Sequence, residues 1–326
     1  MLAHKIVRYR NWLRFLMLFL SLIPAAQSAL AQPETVITID PITIGIKNDI
    51  SMVGSASVDV DPLIMRVTVP EKGDHLPVVV LSHGNRLSRT DYDPLVRFLA
   101  RNGFAVIQPD HPDASVDGLM ISDGGGPDTW MIRAMQLRAI AENIDVLASH
   151  SPLLAARLDP DRMVVMGHSY GGHSAALAMG ARPAISSEDL SMPQFRAAIL
   201  LAPPGDFDGM TDEWRERAPY LDVDYGAMRG PMLIINGGID DSVMTTQGPR
   251  WHDVPFTRGS TGQGICLMTV EGAGHYLGGI DSFLRPPGDA STSRRDLVFS
   301  AVRSFLDKAL DLSASELSDA SPIRCR

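Results

Sequence analysis

The chain has 326 residues, of which 45% are apolar and 21% charged, so it has enough apolar side chains to fill a sizeable core. A chain that is disordered throughout is therefore excluded. Lys and Arg number 29 against 38 Asp and Glu, a formal charge of −9, and no basic run follows the N-terminal segment. Nucleic acid is therefore not an expected partner, because binding to phosphates requires clustered cations. The two cysteines exclude a scaffold of several disulfides and a cysteine-rich zinc module, and the length permits two domains or one large α/β domain.

The N-terminal segment, residues 1–31, has the pattern of a secretory signal peptide. Four basic residues between positions 5 and 14 precede the apolar run Phe15–Ile23, and Ala29 and Ala31 form a small-x-small cleavage pattern. The alternative is a membrane anchor, but these nine residues fall short of the roughly 20 that span a bilayer. We therefore predict an exported domain of residues 32–326, periplasmic or secreted, with no stable membrane anchoring. Its charge would be −13, because the leader removes four basic and no acidic residues from the totals of 29 and 38.

Short apolar or β-branched segments predict strands, and helical patterns alternate with them, which is typical of a mostly parallel sheet flanked by helices. The predicted strands are Leu63–Val69, Pro77–Ser82, Phe104–Gln108, Arg162–Gly167, Ala197–Leu201, Pro231–Asn236 and Ile265–Val270. The predicted helices cover residues 92–101, 129–149, 172–179 and 297–309. Gly-, Pro- and Asp-rich segments after strands are expected to surround a ligand crevice, at 109–128, 203–230 and 245–264. Residues 313–326 are predicted to form a polar tail.

The segment from Gly167 to Gly171 matches the pattern G-x-S-x-G, with Ser169 at its centre. The pattern is weak alone, but here it stands between a predicted strand and a predicted helix, which is the setting of a nucleophile elbow. Glycines in such a turn leave room for the backbone, and the helix N-terminus stabilises developing negative charge. Ser169 is therefore the candidate nucleophile. The alternative is a glycine-rich turn with an incidental serine.

A serine nucleophile requires a base and an acid that orients the base, in the chain order Ser, then Asp or Glu, then His. Of the nine histidines, only His252 and His275 follow both Ser169 and a plausible acid. His275 lies in a glycine-rich turn directly after the last predicted strand and is the preferred base, whereas no strand directly precedes His252. The acid is expected after the preceding predicted strand, Pro231–Asn236. There Asp240 is preferred and Asp241 is the alternative.

The oxyanion hole of a nucleophile elbow takes two backbone N–H groups, one after the nucleophile and one after an earlier strand. These positions are Tyr170 and Asn85. Because the backbone acts there, the side-chain types are only weakly constrained. His83 precedes the serine in the chain, so we expect it to hold the oxyanion loop by hydrogen bonds rather than to act as the base.

Three stretches resemble bacterial predicted dienelactone hydrolases and platelet-activating-factor acetylhydrolases: 78–85, 100–111 and 167–172. The strand and acid at Pro231–Asp240 resemble cutinase-like polyester hydrolases. The resemblance, which covers nearly the whole mature region, implies an α/β-hydrolase fold in a single domain and a serine esterase. True dienelactone hydrolases use a cysteine nucleophile, whereas this chain has Ser169. In the acetylhydrolases the acid follows the preceding strand, which makes Asp206 a further candidate acid.

The implied reaction is hydrolysis of a carboxylic ester through an acyl-enzyme on Ser169, with His275 and Asp240 as base and acid and with no metal or organic cofactor. The expected partner is a small, uncharged ester with a short to medium acyl chain, because the mature chain is acidic and repels anionic substrates and membranes. No amphipathic basic helix is present that would bind a lipid surface. Alternatives are a peptidase or an acyltransferase on the same fold, or a secreted binding protein on an inactive scaffold.

Cys266 and Cys325 are expected to form a disulfide. Export permits oxidation, and two cysteines allow one internal pairing. Such a bond would attach the tail to the sheet region, and cutinase-like enzymes have a comparable C-terminal bridge. The alternative is a buried Cys266 with a free Cys325.

Overall fold

The computed structural model describes residues 35–45, 63–116, 119–120, 126–282, 289–312 and 323–326, and every structural statement below concerns these ranges. The predicted signal peptide lies outside them, as does most of the predicted polar tail. The cleavage site and the export of the chain therefore stay predictions. Within the described ranges, no helix is long and apolar enough to cross a membrane.

Nine strands of the described chain form one sheet. They are β1 (Val36–Ile44), β2 (Leu63–Pro70), β3 (Leu76–Ser82), β4 (Ala105–Pro109), β5 (Leu158–His168), β6 (Phe195–Leu201), β7 (Met232–Gly237), β8 (Ile265–Val270) and β9 (Ile323–Cys325). Their spatial order is β1-β2-β4-β3-β5-β6-β7-β8-β9. The strands from β4 to β8 in this order run parallel, whereas β1, β2 and β9 are antiparallel to their neighbours. The sheet is therefore mostly parallel, as the alternation of patterns predicts.

Helices cover both faces of this sheet. They are α1 (Asp93–Arg101), α2 (Thr129–Glu142), α3 (Ile144–Ser149), α4 (Tyr170–Ala178), α5 (Asp212–Arg217), α6 (Val254–Arg258) and α7 (Thr292–Ala309). Short 3-10 helices lie at Phe207–Gly209, Pro219–Leu221, Tyr225–Ala227 and Gly248–Asp253. Two-residue strands pair at Ser115–Val116 with Leu119–Met120 and at Arg182–Pro183 with Val223–Asp224.

The central strands are buried on both faces, and every residue of β3, β4 and β7 is buried. Successive side chains of a strand point to opposite faces. Val80 of β3 accordingly belongs to the same apolar cluster as Leu137 of α2, whereas Val79 belongs to the cluster that contains Leu95 of α1 and Val302 of α7. Continuous apolar runs are the pattern of strands covered on both sides. The two apolar clusters, one on each face of the sheet, therefore explain why these strands could be predicted from the sequence.

Two of the predicted helices, 129–149 and 297–309, need correction. The predicted helix 129–149 is two helices, because Asn143 has left the helical conformation, with φ −120° and ψ 28°, and its side-chain amide donates to the Ala139 carbonyl (2.8 Å). The C-terminal helix begins at Thr292, five residues before the predicted start at 297. The first turn of this helix is polar, so the periodicity of apolar residues did not predict it. The turn follows Ser291, whose hydroxyl accepts from the Arg294 N–H (3.4 Å) and caps the helix.

Two strands of the main sheet lie where none was predicted, as do the four two-residue strands. The edge strand β1 carries mostly half-exposed or exposed residues, and Pro41 stands at its centre, both of which weaken a strand pattern. The three residues of β9 fall in the segment predicted as a polar tail, and they pair antiparallel with β8. The polar-tail prediction is therefore wrong for 323–325, while residues 313–322 lie outside the described ranges.

A disulfide joins the last two strands. Cys266 and Cys325 are directly opposite each other in the antiparallel register of β8 and β9, and their sulfurs are bonded. The predicted pairing is therefore confirmed, and the alternative of a free Cys325 is wrong. The bond connects positions 59 residues apart and holds the short strand on the edge of the sheet.

Replacing Cys325 with Ser is expected to lower the free energy of unfolding by roughly 2–4 kcal/mol, because the bond restricts the unfolded chain over a long loop. Urea unfolding of the oxidised wild type and the variant measures the difference. A reductant should bring the wild type to the value of the variant and leave the variant unchanged. Equal stability of the two oxidised proteins would contradict this expectation.

Candidate active site

Ser169 occupies the sharp turn between β5 and α4, as the G-x-S-x-G pattern predicts. Its φ of 55° lies in the left-handed region, which is uncommon for residues other than glycine. A Cβ on Gly167 would lie 1.9 Å from the Gly171 carbonyl oxygen, and one on Gly171 would lie 2.1 Å from that of Ser82. The Ser169 N–H donates to the Leu201 carbonyl (2.8 Å), which ties the turn to β6. Backbone strain of this kind, in a tight turn between a strand and a helix, makes Ser169 a candidate functional residue.

His275 and Asp240 lie in contact at the same end of the sheet. The His275 Nδ1 atom is 2.8 Å from Asp240 Oδ2, and the His275 side chain is 32% exposed whereas that of Asp240 is 4% exposed. Asp240 follows β7 and His275 follows β8. A Cβ on Gly237 would lie 2.4 Å from the carbonyl oxygens of Ala273 and Gly274, so glycine is required where these two turns meet. The close approach of the turns brings the carboxylate to the imidazole.

The Asp240 carboxyl is ionised at neutral pH although it is buried. Burial alone raises its pKa, but the hydrogen bond from His275, together with electrostatic interactions with His275 and His252, outweighs burial, and the pKa lies below its usual value. An ionised carboxylate only accepts hydrogen bonds, so Nδ1 of His275 carries the proton. The other ring nitrogen of His275, Nε2, is then left as a proton acceptor, which is what a general base requires.

The other two candidate acids lie elsewhere. Asp241 is exposed to solvent. Asp206 is buried, but its Oδ2 atom is 2.6 Å from Nη1 of Arg258 and its Oδ1 atom accepts from the Gly209 N–H (3.3 Å). Of the three acids considered in the sequence, Asp240 is the one that the structure brings to His275.

The predicted oxyanion residues, Asn85 and Tyr170, lie in the turn after β3 and at the start of α4. The first N–H groups of a helix have no acceptor within it, so that of Tyr170 is available to a ligand. Asn85 has an exposed side chain in a turn that is closed by a hydrogen bond from the Leu87 N–H to the Gly84 carbonyl (3.1 Å). Both backbone positions are therefore candidates for binding an oxyanion.

A fully buried ion pair that no sequence pattern predicted lies beside both of these loops. Arg133 of α2 is 0% exposed and makes two hydrogen bonds to Asp113, of 2.8 and 2.7 Å. It also donates to the His83 carbonyl (2.8 Å), and its guanidinium carbon lies 4.3 Å from the centre of the Tyr170 ring. Removing one partner of such a pair costs about 3–5 kcal/mol, because the other charge is left buried alone. The sequence feature that could have indicated this ion pair is an arginine within an otherwise apolar part of the predicted helix.

His83 holds the loop after β3 by hydrogen bonds, as expected from the sequence. Its Nδ1 atom donates to the Gly84 carbonyl (2.7 Å), and its Nε2 atom accepts from the His111 N–H (3.0 Å). Burial, together with the charge of Arg133, lowers the pKa of His83 to about 3. The ring is therefore neutral at neutral pH, which suits a residue that both donates and accepts.

A chain of hydrogen bonds also links the turn of His275 to the loop after β3. The Gly84 N–H donates to the Tyr92 hydroxyl (2.9 Å), which leaves the hydroxyl to donate to Nδ1 of His168 (2.9 Å). The Nε2 atom of His168 then donates to the His275 carbonyl (2.9 Å). Burial lowers the pKa of His168 to about 3, so this neutral tautomer persists. The residue before the candidate nucleophile therefore fixes the backbone of the candidate base.

His252, the alternative candidate base, also contacts Asp240. Its side chain is 2% exposed, and its Nε2 atom is 3.3 Å from Asp240 Oδ2. Among the described residues, Asp240, His252 and His275 are a group whose donor atoms lie within 4.8 Å of one another, the spacing that a metal ion requires. A metal ion there would displace the contact that orients His275, so the arrangement fits proton transfer better than metal binding.

The amino-acid sequence matches the Alpha/beta hydrolase family over residues 79–255, which is more than half of the chain. The chain belongs to this family. The matched range includes Ser169 and Asp240 and ends before His275. The predicted fold class, an α/β-hydrolase fold with a mostly parallel central sheet flanked by helices, is therefore confirmed.

Relatives of this alpha/beta hydrolase include enzymes from a plant and from bacteria. Chlorophyllase-2 of Arabidopsis thaliana is 24% identical over 217 residues, which cover 59% of this chain and 61% of the relative. Cutinase 2 of Thermobifida cellulosilytica is 25% identical over 209 residues, which cover 64% and 63%. Cutinase cut1 of Thermobifida fusca is 25% identical over 209 residues, and 52% of its length is covered. The chain thus spans less than two thirds of the length of each of these relatives.

Asp240→Asn is expected to lower kcat on the order of 10,000-fold, because an amide in place of the carboxylate favours the wrong tautomer of His275. Asp241→Asn is the matched control and should change kcat less than about threefold, since surface substitutions are mostly neutral. The rates are measured on an ester substrate, with circular dichroism to verify folding. A larger loss in Asp206→Asn than in Asp240→Asn would assign the acid to Asp206 instead.

Proposed function

We propose that this alpha/beta hydrolase is an exported serine esterase that hydrolyses uncharged carboxylic esters of short to medium acyl chain. The observation that carries the proposal is the contact of His275 Nδ1 with Asp240 Oδ2 (2.8 Å) in the same protein that holds Ser169 in a strained elbow. The similarity to cutinases and to a chlorophyllase supports ester hydrolysis as the reaction class.

The proposed reaction begins when the Ser169 hydroxyl attacks the ester carbonyl and Nε2 of His275 takes the hydroxyl proton. Asp240 holds the resulting imidazolium through its Nδ1–H. The backbone N–H groups of Asn85 and Tyr170 stabilise the tetrahedral oxyanion. The intermediate collapses to an acyl-enzyme as His275 protonates the leaving alcohol. Water, deprotonated by His275, then releases the carboxylic acid and restores the serine.

The proposed substrate class rests on the charge and surface of the chain. The charge of −13 predicted for residues 32–326 disfavours anionic substrates at low salt. Two large apolar side chains are exposed on the turn that carries Asp240, Ile239 at 64% and Val243 at 81%. Exposed apolar groups beside a reacting centre favour contact with uncharged, apolar parts of a substrate.

The proposed export rests on the sequence pattern of residues 1–31. The disulfide between Cys266 and Cys325 is compatible with it, because such bonds persist in oxidising compartments. Mass determination of the protein recovered from the producing cell would test the cleavage expected after Ala31.

Ser169→Ala is expected to lower esterase activity by at least about 1,000-fold, because no other group forms the acyl-enzyme. A fluorophosphonate probe should label the wild type and not the variant, and it should still label Ser174→Ala, a substitution in the helix that follows Ser169. Labelling of the Ser169→Ala protein would show that another residue is the nucleophile. Absence of labelling and hydrolysis in the wild type would favour an inactive binding protein.

The acyl preference is tested with p-nitrophenyl esters from acetyl to palmitoyl. We expect kcat/KM to be highest for short to medium chains, since the proposed site is an open crevice at the ends of the strands. A maximum at the long end that develops only above the micellar threshold would contradict this and indicate a lipase.

A further inference from the structure

His252 is a buried group that the proposed reaction does not use. It lies in the 3-10 helix Gly248–Asp253, and its ring connects two turns of the site. Its Nδ1 atom is 2.6 Å from the carbonyl oxygen of Pro203, in the turn after β6, and its Nε2 atom is 3.3 Å from Asp240 Oδ2. The ring therefore touches the carboxylate oxygen that also accepts the hydrogen bond from His275.

The contacts of His252 determine its tautomer. A carbonyl oxygen can only accept, so the short contact to Pro203 requires a hydrogen on Nδ1. In the neutral imidazole the other nitrogen, Nε2, then has a lone pair and no hydrogen. Asp240 Oδ2 is also an acceptor, so two acceptors face each other at 3.3 Å, and Nε2 is a buried atom without a hydrogen-bond partner. Protonation of Nε2 would turn this contact into a charge-assisted hydrogen bond.

We infer that His252 is a positioning residue whose Nε2 proton, when bound, engages the Asp240 carboxylate and thereby weakens His275 as a base. The inference rests on the roles proposed above for Asp240 and His275. A protonated His252 neutralises part of the negative charge that stabilises the imidazolium of His275 during reaction. A neutral His252 leaves that charge entirely to His275, so the site works best with this nitrogen unprotonated.

Several charged or titratable groups face His252 from the elements packed around it. Asp240 lies in the turn after β7, His275 in the turn after β8, with ring centres 5.8 Å apart, and His168 at the end of β5. Asp253 is the next residue, and its Oδ1 atom accepts from the Asn236 side chain (2.9 Å). Burial is the largest influence and lowers the pKa of His252 below its usual value, against the opposing charges of the two aspartates. The inhibitory proton is therefore absent at neutral pH and binds as the pH falls.

The first test compares the pH dependence of kcat in the wild type and His252→Gln. The glutamine keeps a polar side chain at this position but cannot titrate. From pH 8 to pH 5 the wild type should lose roughly three- to tenfold more activity than the variant. The reason is that protonation of His252, in addition to that of His275, lowers kcat of the wild type in acid. His150→Gln, at an exposed histidine beyond α3, should retain the wild-type profile. Identical acid limbs in the wild type and His252→Gln would overturn the inference.

The second test needs no substrate and uses the wild-type protein. Nitrogen-15 NMR of the histidine rings should show His252 as the Nδ1–H tautomer at pH 7 and doubly protonated in acid, and that transition should shift the Nδ1–H signal of His275. In Asp240→Asn the coupling between the two histidines should be lost. An Nε2–H tautomer of His252, or a His275 signal that does not respond, would overturn the inference. Failure of the wild type to hydrolyse esters would overturn the proposed function alone, because the NMR result stands independently of it.

Discussion

The close approach of backbones at the carboxyl ends of the parallel strands is the constraint on which the site depends. No side chain fits at Gly167 or Gly171, so the elbow packs directly against α4 and β3, and Ser169 adopts a φ of 55°. No side chain fits at Gly237 either, so the turns after β7 and β8 meet. Asp240 and His275 touch because of that meeting. Three glycines, each required by a carbonyl oxygen nearby, thus bring the turns of Ser169, Asp240 and His275 into close packing at the carboxyl ends of the strands.

Buried polar groups then hold the loops around that edge. The ion pair of Arg133 and Asp113 contacts the loop after β3 and the Tyr170 ring at the start of α4. On the other side, Tyr92 and His168 join the Gly84 N–H to the His275 carbonyl. Each buried donor in these chains has an acceptor, and unpaired alternatives would cost free energy, so the loops have one preferred arrangement. Such loops are preorganised before a substrate binds, which is the condition for effective stabilisation of a transition state.

The environment of Asp240 separates the roles of the two histidines beside it. Nε2 of His252 and Nδ1 of His275 approach the same oxygen of Asp240, Oδ2. His275 is one-third exposed, whereas His252 is almost fully buried. In the proposed reaction, His275 can therefore meet a substrate, whereas His252 can act only through the carboxylate. The choice between them that the sequence favoured, on the basis of a preceding strand, agrees with this difference in exposure.

The sequence by itself determined the central strands and the fold family, and it named Asp240 and His275, which the structure brings into contact. Continuous apolar runs identified β3, β5 and β7, and the order of Ser169, Asp240 and His275 along the chain followed from a local motif and the turns after strands. The edge strands, the break at Asn143 and the contacts of Arg133, Tyr92 and His252 came only from the tertiary structure. These features depend on which residues distant in the chain become neighbours. A local sequence pattern indicates which residues are buried and where turns lie. The partner of a buried polar group depends on how the strands and helices pack.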